Sequence, residues 1–256
     1  MASLIRLHVD APLAAGGAAP LSGAQAHYLQ HVMRRKEGDP LALFNARDGE
    51  FDASIENLTK KGGAARLGAQ RRAPAEEPDL WLLFAPVKRD AVDLIAQKAT
   101  ELGVARLSPV MTERTVAARV NEDRLQSIAT EAAEQCGRLS VPPVDAARKL
   151  TQVLADWPKD RALMYCDEAG DDPNEEWGGR EGRARPVLEA LTSKSEGPWA
   201  ILIGPEGGFS PEERARLRAL DFVTPVTLGP RILRADTAVF AAITLWQAAL
   251  GDWRKA

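Results

Sequence analysis

Two stretches of this chain bring together residue types suited to chemistry: Ile203-Gly204-Pro205-Glu206-Gly207-Gly208 and, further on, Leu228-Gly229-Pro230-Arg231-Ile232-Leu233-Arg234. The first follows the apolar run Trp199–Ile203 and precedes Ser210-Pro211-Glu212-Glu213. Ser210 suits the N-cap of a helix, Pro211 its first position, and Glu213 closes a capping box. A strand that feeds a helix through such a loop makes a crevice at the carboxyl edge of a parallel sheet, where ligands bind. An ordinary tight turn is the plainer reading. One proline and two adjacent glycines exceed what a turn needs, because they remove side chains where backbone would approach a ligand.

The residue types also exclude ligands. A phosphate loop wants lysine beside its glycines, whereas this one carries Glu206, and G-x-G-x-x-G is absent. ATP and NAD are therefore disfavoured. In the second stretch a strand ending at Leu228 leads to Ala235-Asp236-Thr237-Ala238, where Asp236 or Thr237 is expected to cap the last helix. Val239, Phe240, Ile243, Trp246 and Leu250 form the apolar stripe of that helix, a core or subunit face. Arg231 and Arg234 are read as functional rather than merely solvated, since their loop adjoins the first.

The three histidines, His8, His27 and His31, and the two cysteines, Cys136 and Cys166, lack metal-ligand spacing. No metal site is expected, and two lone thiols fit a reducing cytoplasm. No run approaches the ~20 apolar residues of a membrane span. The start, Met1-Ala2-Ser3-Leu4-Ile5-Arg6, has no basic region followed by an apolar one, so no secretory signal is expected. A cytoplasmic location follows as the expectation. Net charge is −3 over 256 residues, yet residues 167–182 alone hold seven acids and one base, Arg180. The rest is net basic, so the balance does not exclude nucleic acid.

The elements that must position these loops fall into two regions. Residues 1–72 read as a small, mostly β domain: Leu41–Phe44, a turn at Arg47-Asp48-Gly49, and Phe51–Ile55 with alternate apolar residues make a hairpin. One helix is expected from Ser22 to about Arg34, with Ala26, Leu29, His31 and Val32 near its apolar face. Residues 73–79, with two prolines, are the linker. From residue 80 strands and helices alternate: Leu80–Val87, a helix at Asp90–Leu102, Val104–Val110, a helix from the cap Asn121 to Cys136, then Ala162–Cys166, Trp199–Ile203 and Val223–Leu228. On the first helix Ala91, Leu94, Ile95, Ala99 and Leu102 have helical spacing. On the second, Leu125, Ile128, Ala129 and Ala132 face inward. Alternation of this kind predicts an α/β fold with a parallel sheet over residues 80–256. The acidic segment 167–185 has no period and reads as a surface insertion.

The two loops resemble the signature of the 16S rRNA (uracil-1498-N3)-methyltransferase family of the SPOUT superfamily. Gln97-Lys98-Ala99-Thr100-Glu101-Leu102-Gly103-Val104, Arg114, Glu131–Arg138, His31-Val32-Met33-Arg34 and Gly38-Asp39 agree in order. Ala235-Asp236 departs from the family's Thr-Glu, and the acidic insertion lies outside its pattern. The resemblance implies a PUA-like β-barrel, then a SPOUT domain with a deep trefoil knot. It implies S-adenosylmethionine held by Leu202, Ile203, Gly204, Pro205, Gly207, Gly208, Leu228, Gly229, Pro230, Ile232 and Leu233. It also implies a homodimer with active sites shared between chains, and 16S rRNA, within the small ribosomal subunit, as substrate.

Methylating uracil N3 needs loss of an imide proton and no covalent enzyme intermediate, which fits the lack of a nucleophile–base pair. Positioning and anion stabilisation are the demands; Arg234 is the candidate stabiliser and Glu206 the residue that orients substrate or loop. Arg34, Arg35 and Lys36 in the basic N-terminal region, with Lys88, Arg114 and Arg138, are the candidate RNA contacts. For Lys98 and Gln135 structural roles are equally expected. Alternatives are a family member acting on another base or RNA, a binding-only RNA module, and a small-molecule enzyme using the same crevice.

Overall fold

The computed structural model describes residues 4–116, 119–172 and 174–254. Met1–Ser3 of the start read above, and Pro173 of the acidic segment, lie outside the described residues. The chain forms two compact units, residues 1–76 with 130–141, and residues 77–129 with 142–256.

The first unit is a five-stranded sheet of β1 (Arg6–His8), β2 (Ala18–Ser22), β3 (Pro40–Asn45), β4 (Gly49–Thr59) and β5 (Gly62–Arg72). Its order is β1-β3-β4-β5-β2, with β1 parallel to β3 and the other pairs antiparallel. The expected hairpin is β3–β4, in register Leu43↔Phe51 and Leu41↔Ala53. Phe51, Ala53 and Ile55 point into a core with Leu7, Leu21, Leu41, Leu43 and Leu67 while Asp52 faces out, as period-2 alternation requires. The turn depends on Gly49: its φ is +88°, and a Cβ there would lie 2.2 Å from the Arg72 carbonyl oxygen.

The helix expected from Ser22 to Arg34 is shorter and broken in type. Ser22 caps α1 (Gly23–His27) through a capping box with Gln25, and a π-helical turn follows over Tyr28–Val32. Met33 N–H donates to the Tyr28 carbonyl at 2.9 Å, five residues back. The wider turn shifts the buried face, as an i→i+5 bulge does. Ala26 and Leu29 are fully buried, but Val32 is exposed and Met33 packs on the core instead.

The second unit carries β6 (Leu80–Phe84), α2 (Arg89–Glu101), β7 (Arg106–Met111), α3 (Glu122–Cys136), β8 (Arg148–Lys149), α4 (Leu150–Ala155), β9 (Ala162–Cys166), β10 (Arg185–Pro186), α5 (Val187–Leu191), β11 (Trp199–Ile203), α6 (Pro211–Arg218), β12 (Val223–Thr227) and α7 (Ala235–Ala249). The later half of α3 belongs to the first unit. There Arg6 donates to the carbonyls of Ala133, Glu134 and Arg138 at 2.6–2.9 Å, a cation satisfying the end of a helix.

The sheet runs β10-β12-β9-β11-β6-β7-β8, parallel throughout. All five residues of β11 and four of the five in β9 are buried, the mark of strands covered on both faces. The face of α2 differs from the expected one. Ile95 and Ala99 are buried, but so are Val92, Ala96 and Thr100, while Leu94 is exposed and Ala91 and Leu102 are half-buried. The helix is turned toward its small residues, which allow closer packing, and α7 is among its neighbours. Asn121 does cap α3, its side-chain oxygen accepting the Arg124 N–H at 3.0 Å.

Candidate functional site

β9 lies between β11 and β12, so the segments leaving the carboxyl ends of these three strands are neighbours. They enclose a cavity of about 570 Å³. Ile203, Gly204, Pro205, Glu206, Gly207 and Gly208 line it from the first loop, and Ile232 and Leu233 from the second. The third wall is the segment from Tyr165 to Gly178, including Asp171, Asp172, Glu175 and Trp177. The acidic stretch, largely exposed as expected, is thus also a wall of this cavity. Periodicity within a segment does not reveal strand order, and strand order is what brings it here.

The first loop is built as its residues require. Ser210 accepts the Glu213 N–H and Glu213 accepts the Ser210 N–H, both at 3.1 Å, with Pro211 opening α6. The other oxygen of Glu213 takes the Glu113 N–H at 2.9 Å, so one buried carboxylate joins two loops. Gly208 has φ +68° and donates back to the Pro205 carbonyl at 2.9 Å. At Gly204 a Cβ would come within 2.5 Å of the Phe209 ring, which packs edge-on against buried Tyr165. Arg114 donates to the Gly207 carbonyl at 3.0 Å and lines the cavity.

The acidic segment is held by α6. Asp167, buried, takes the Arg214 Nε at 2.9 and 3.0 Å and the Arg218 Nε at 2.7 Å. Arg214 also donates to the Ala169 carbonyl at 2.7 Å and pairs with Asp171, whose carboxyl is held below its ordinary range by that hydrogen bond. Glu168 reaches the second loop, accepting the Leu228 N–H and the Thr227 hydroxyl at 2.9 Å. Burial raises the Glu168 carboxyl, and those two hydrogen bonds oppose the rise. Burial also pushes the Cys166 thiol well up, so this cavity-lining cysteine stays protonated and is no nucleophile.

The remaining candidates divide. Leu202 points into the sheet core, and Leu228, Gly229 and Pro230 are outside the cavity lining. Arg234 is exposed at the N-cap of α7, between the lining residues Leu233 and Ala235. Asp236 and Thr237, expected as caps, instead lie in the first turn, where the Asp236 carboxylate accepts the Thr237 N–H at 2.7 Å. Lys88 is exposed at the N-cap of α2. Arg138, expected at RNA, is buried and donates to Ser140 at 2.8 Å; its cation is used inside the fold. Arg34 and Lys36 are exposed on the first unit beside half-buried Arg35, Arg34 with φ +52°. Lys98 pairs with Glu101 at 2.8 Å. Among the described residues no group of three or more His, Cys, Asp or Glu is placed to hold a metal, and no helix is long and apolar enough to cross a membrane.

The cavity therefore joins bare glycine backbone, an apolar patch and a rim of carboxylates, with no lysine. It suits a ligand that carries positive charge and offers edges for backbone to read. Residues 75–247 match the RNA methyltransferase domain family, and residues 21–67 the RNA methyltransferase PUA domain family. The ribosomal RNA small subunit methyltransferase E of Rickettsia conorii is 32% identical over 93% of both chains. Its namesake from Synechocystis is 33% identical over 87% of this chain and 70% of its own. Among solved structures, the small subunit methyltransferase E of Neisseria gonorrhoeae bound to S-adenosylmethionine superposes with TM-score 0.84, at 26% identity over 98% of this chain and 100% of that one. A methyltransferase from Legionella pneumophila with the same cofactor gives 0.81, at 29% identity over 98% and 99%.

Proposed function

Because the chain belongs to the ribosomal RNA small subunit methyltransferase E family, we propose that it methylates N3 of uridine 1498 in 16S rRNA, using S-adenosylmethionine held in this cavity. The carrying observation is the cavity itself: glycine-rich backbone after β11, Ile232 and Leu233 after β12, and carboxylates between them. These residues fit the cofactor. Gly204 and Gly207 bring bare backbone to the cavity wall, the space of a Gly204 side chain being taken by the Phe209 ring. The acidic rim matches a molecule bearing a sulfonium and an ammonium against one carboxylate.

Backbone of Ile203–Gly208, with Ile232 and Leu233 of the second loop, holds the cofactor, and Arg114 fixes the first loop through the Gly207 carbonyl. These are the loops that the trefoil knot of the resemblance would entwine. When bound, the cofactor supplies an electrophilic methyl group. The protein's part is to hold the uracil ring in line and to stabilise negative charge as its imide proton leaves. Exposed Arg234 at the head of α7 is assigned that charge, and Glu206 at the cavity wall orients the base. Arg34, Arg35 and Lys36 with Lys88 contact phosphates. The active form is a homodimer acting on the small ribosomal subunit in the cytoplasm.

The test is mass spectrometry of ribonuclease fragments and of nucleosides of 16S rRNA from small subunits lacking the modification, after incubation with the protein and S-adenosylmethionine. One new 3-methyluridine at position 1498 is expected. A methyl group on another base, or none, would refute the assignment.

A further inference from the structure

The acidic segment brings one aromatic ring to the cavity that the reading above leaves without a task. Trp177 lines the cavity, is 37% exposed, and belongs to the acidic segment. Its backbone is left-handed, φ 56° and ψ 26°, a conformation that side chains other than glycine rarely adopt. The surrounding chain holds it there. The Trp177 carbonyl accepts the Gly170 N–H at 2.8 Å, and the Gly178 carbonyl accepts the Asp172 N–H at 3.0 Å. Behind these contacts Arg214 grips Asp167, Asp171 and the Ala169 carbonyl. The indole edge packs on the first loop: a Cβ on Gly208 would lie 3.3 Å from Trp177 Cζ3. A large apolar ring is thus fixed against the glycine backbone, with part of its surface turned to the cavity.

We propose that Trp177 stacks on the adenine ring of S-adenosylmethionine and closes the cofactor site. The inference rests on the cofactor reading above. An exposed indole beside backbone N–H and C=O groups offers a face and an edge at once, which is what a planar heterocycle needs. Charge decides between adenine and the target uracil. Asp172 and Glu175 line the same wall, beyond Asp171 and its Arg214 partner, so a nucleotide arriving there would bring its phosphate against these two carboxylates. The adenosine of the cofactor carries no phosphate, and the attached sulfonium is attracted by that wall.

The test is calorimetric titration of S-adenosylmethionine and of S-adenosylhomocysteine into the full chain, with tryptophan emission recorded in parallel. Either ligand is expected to change the emission of the parent protein, and Trp177→Phe to remove most of that change while still binding. Trp177→Ala is expected to weaken both ligands by the same factor, about tenfold, since both carry adenine. Equal affinity in parent and Trp177→Ala overturns the stacking. A loss confined to S-adenosylmethionine also overturns it, since the ring would then face the sulfonium. Quenching of Trp177 by a uridine-containing 16S fragment but not by either cofactor form would move the ring to the RNA base. A parent protein that binds neither ligand removes the cofactor reading and this inference together, a result distinct from tight binding that ignores Trp177.

Discussion

Asp167→Asn tests whether the acidic segment is a wall of the active site or a decoration. The Asp167 side chain is 2% exposed and faces two guanidinium groups, Arg214 at 16% and Arg218 at 28%. The substitution keeps the shape but removes the charge, and it turns an amide N–H toward one of the arginines. Each charge-assisted hydrogen bond contributes about 1.5–3 kcal/mol net. The loss is partial, because Arg214 keeps Asp171 and the Ala169 carbonyl and Arg218 keeps the Gly182 carbonyl. About 3 kcal/mol remains, the lower end of what breaking a buried pair costs. For a unit of this size that corresponds to a fall of about 6–12 °C in the calorimetric midpoint. Where the loss falls on docking of the segment rather than on global unfolding, the apparent Kd for S-adenosylmethionine rises instead, by up to about a hundredfold. Scanning calorimetry and isothermal titration on one preparation divide the loss between the two. An unchanged midpoint together with an unchanged Kd would refute the reasoning, since the lost pair would then hold nothing.

Arg234→Ala should bind S-adenosylmethionine as the parent does and lose methyl transfer by about 10²–10³-fold; near-normal turnover removes Arg234 from the mechanism. The double replacement Arg34→Ala, Lys36→Ala should flatten the salt dependence of RNA binding, lowering the slope of log K against log salt by about 1–2. An unchanged slope takes these cations off the phosphates. Glu134 carries a pH signature: burial pushes its carboxyl up to about 6 from 4.5, Glu131 adding to the rise and the His8 N–H and Arg6 opposing it. Because the folded chain keeps this proton to higher pH, its contribution is full below pH 4.5 and is lost as pH rises through about 6, a cost of about 1–2 kcal/mol once partial exposure is allowed for. Glu134→Gln should therefore stabilise the protein at pH 8 and leave it unchanged at pH 4, as denaturant titration at both values would show; a gain equal at both would place the effect elsewhere.

What the sequence made legible follows from how local each signal is. β9 and β11 could be bounded to the residue because both are short apolar runs buried on two faces, and burial of that kind leaves no competing period. The capping box at Ser210 was equally legible, since its partners are three residues apart. Signals carried by packing were not. A hydrogen bond spanning five residues instead of four at Tyr28–Val32 leaves composition unchanged, yet it exchanges Val32 for Met33 at the core. The face of α2 is chosen by the neighbours it meets, so Val92 and Thr100 outrank the larger Leu94.

The same distinction explains the site. The two loops were recognisable one at a time, by glycines, proline and charge. Their third wall was not, because a run of acids without period looks the same whether it faces solvent or a ligand. Strand order decides between these, and it is a property of the whole sheet: once β9 is placed between β11 and β12, the chain leaving Cys166 has to emerge between the two loops. Asp167 and Glu168 then meet Arg214, Arg218 and the start of the second loop, so the acids nearest the strand are consumed in holding the wall. Those farther out, Asp172 and Glu175, remain on the cavity with Trp177. One acidic stretch is thereby divided into a structural half and a cavity-facing half, a division that net charge alone does not carry.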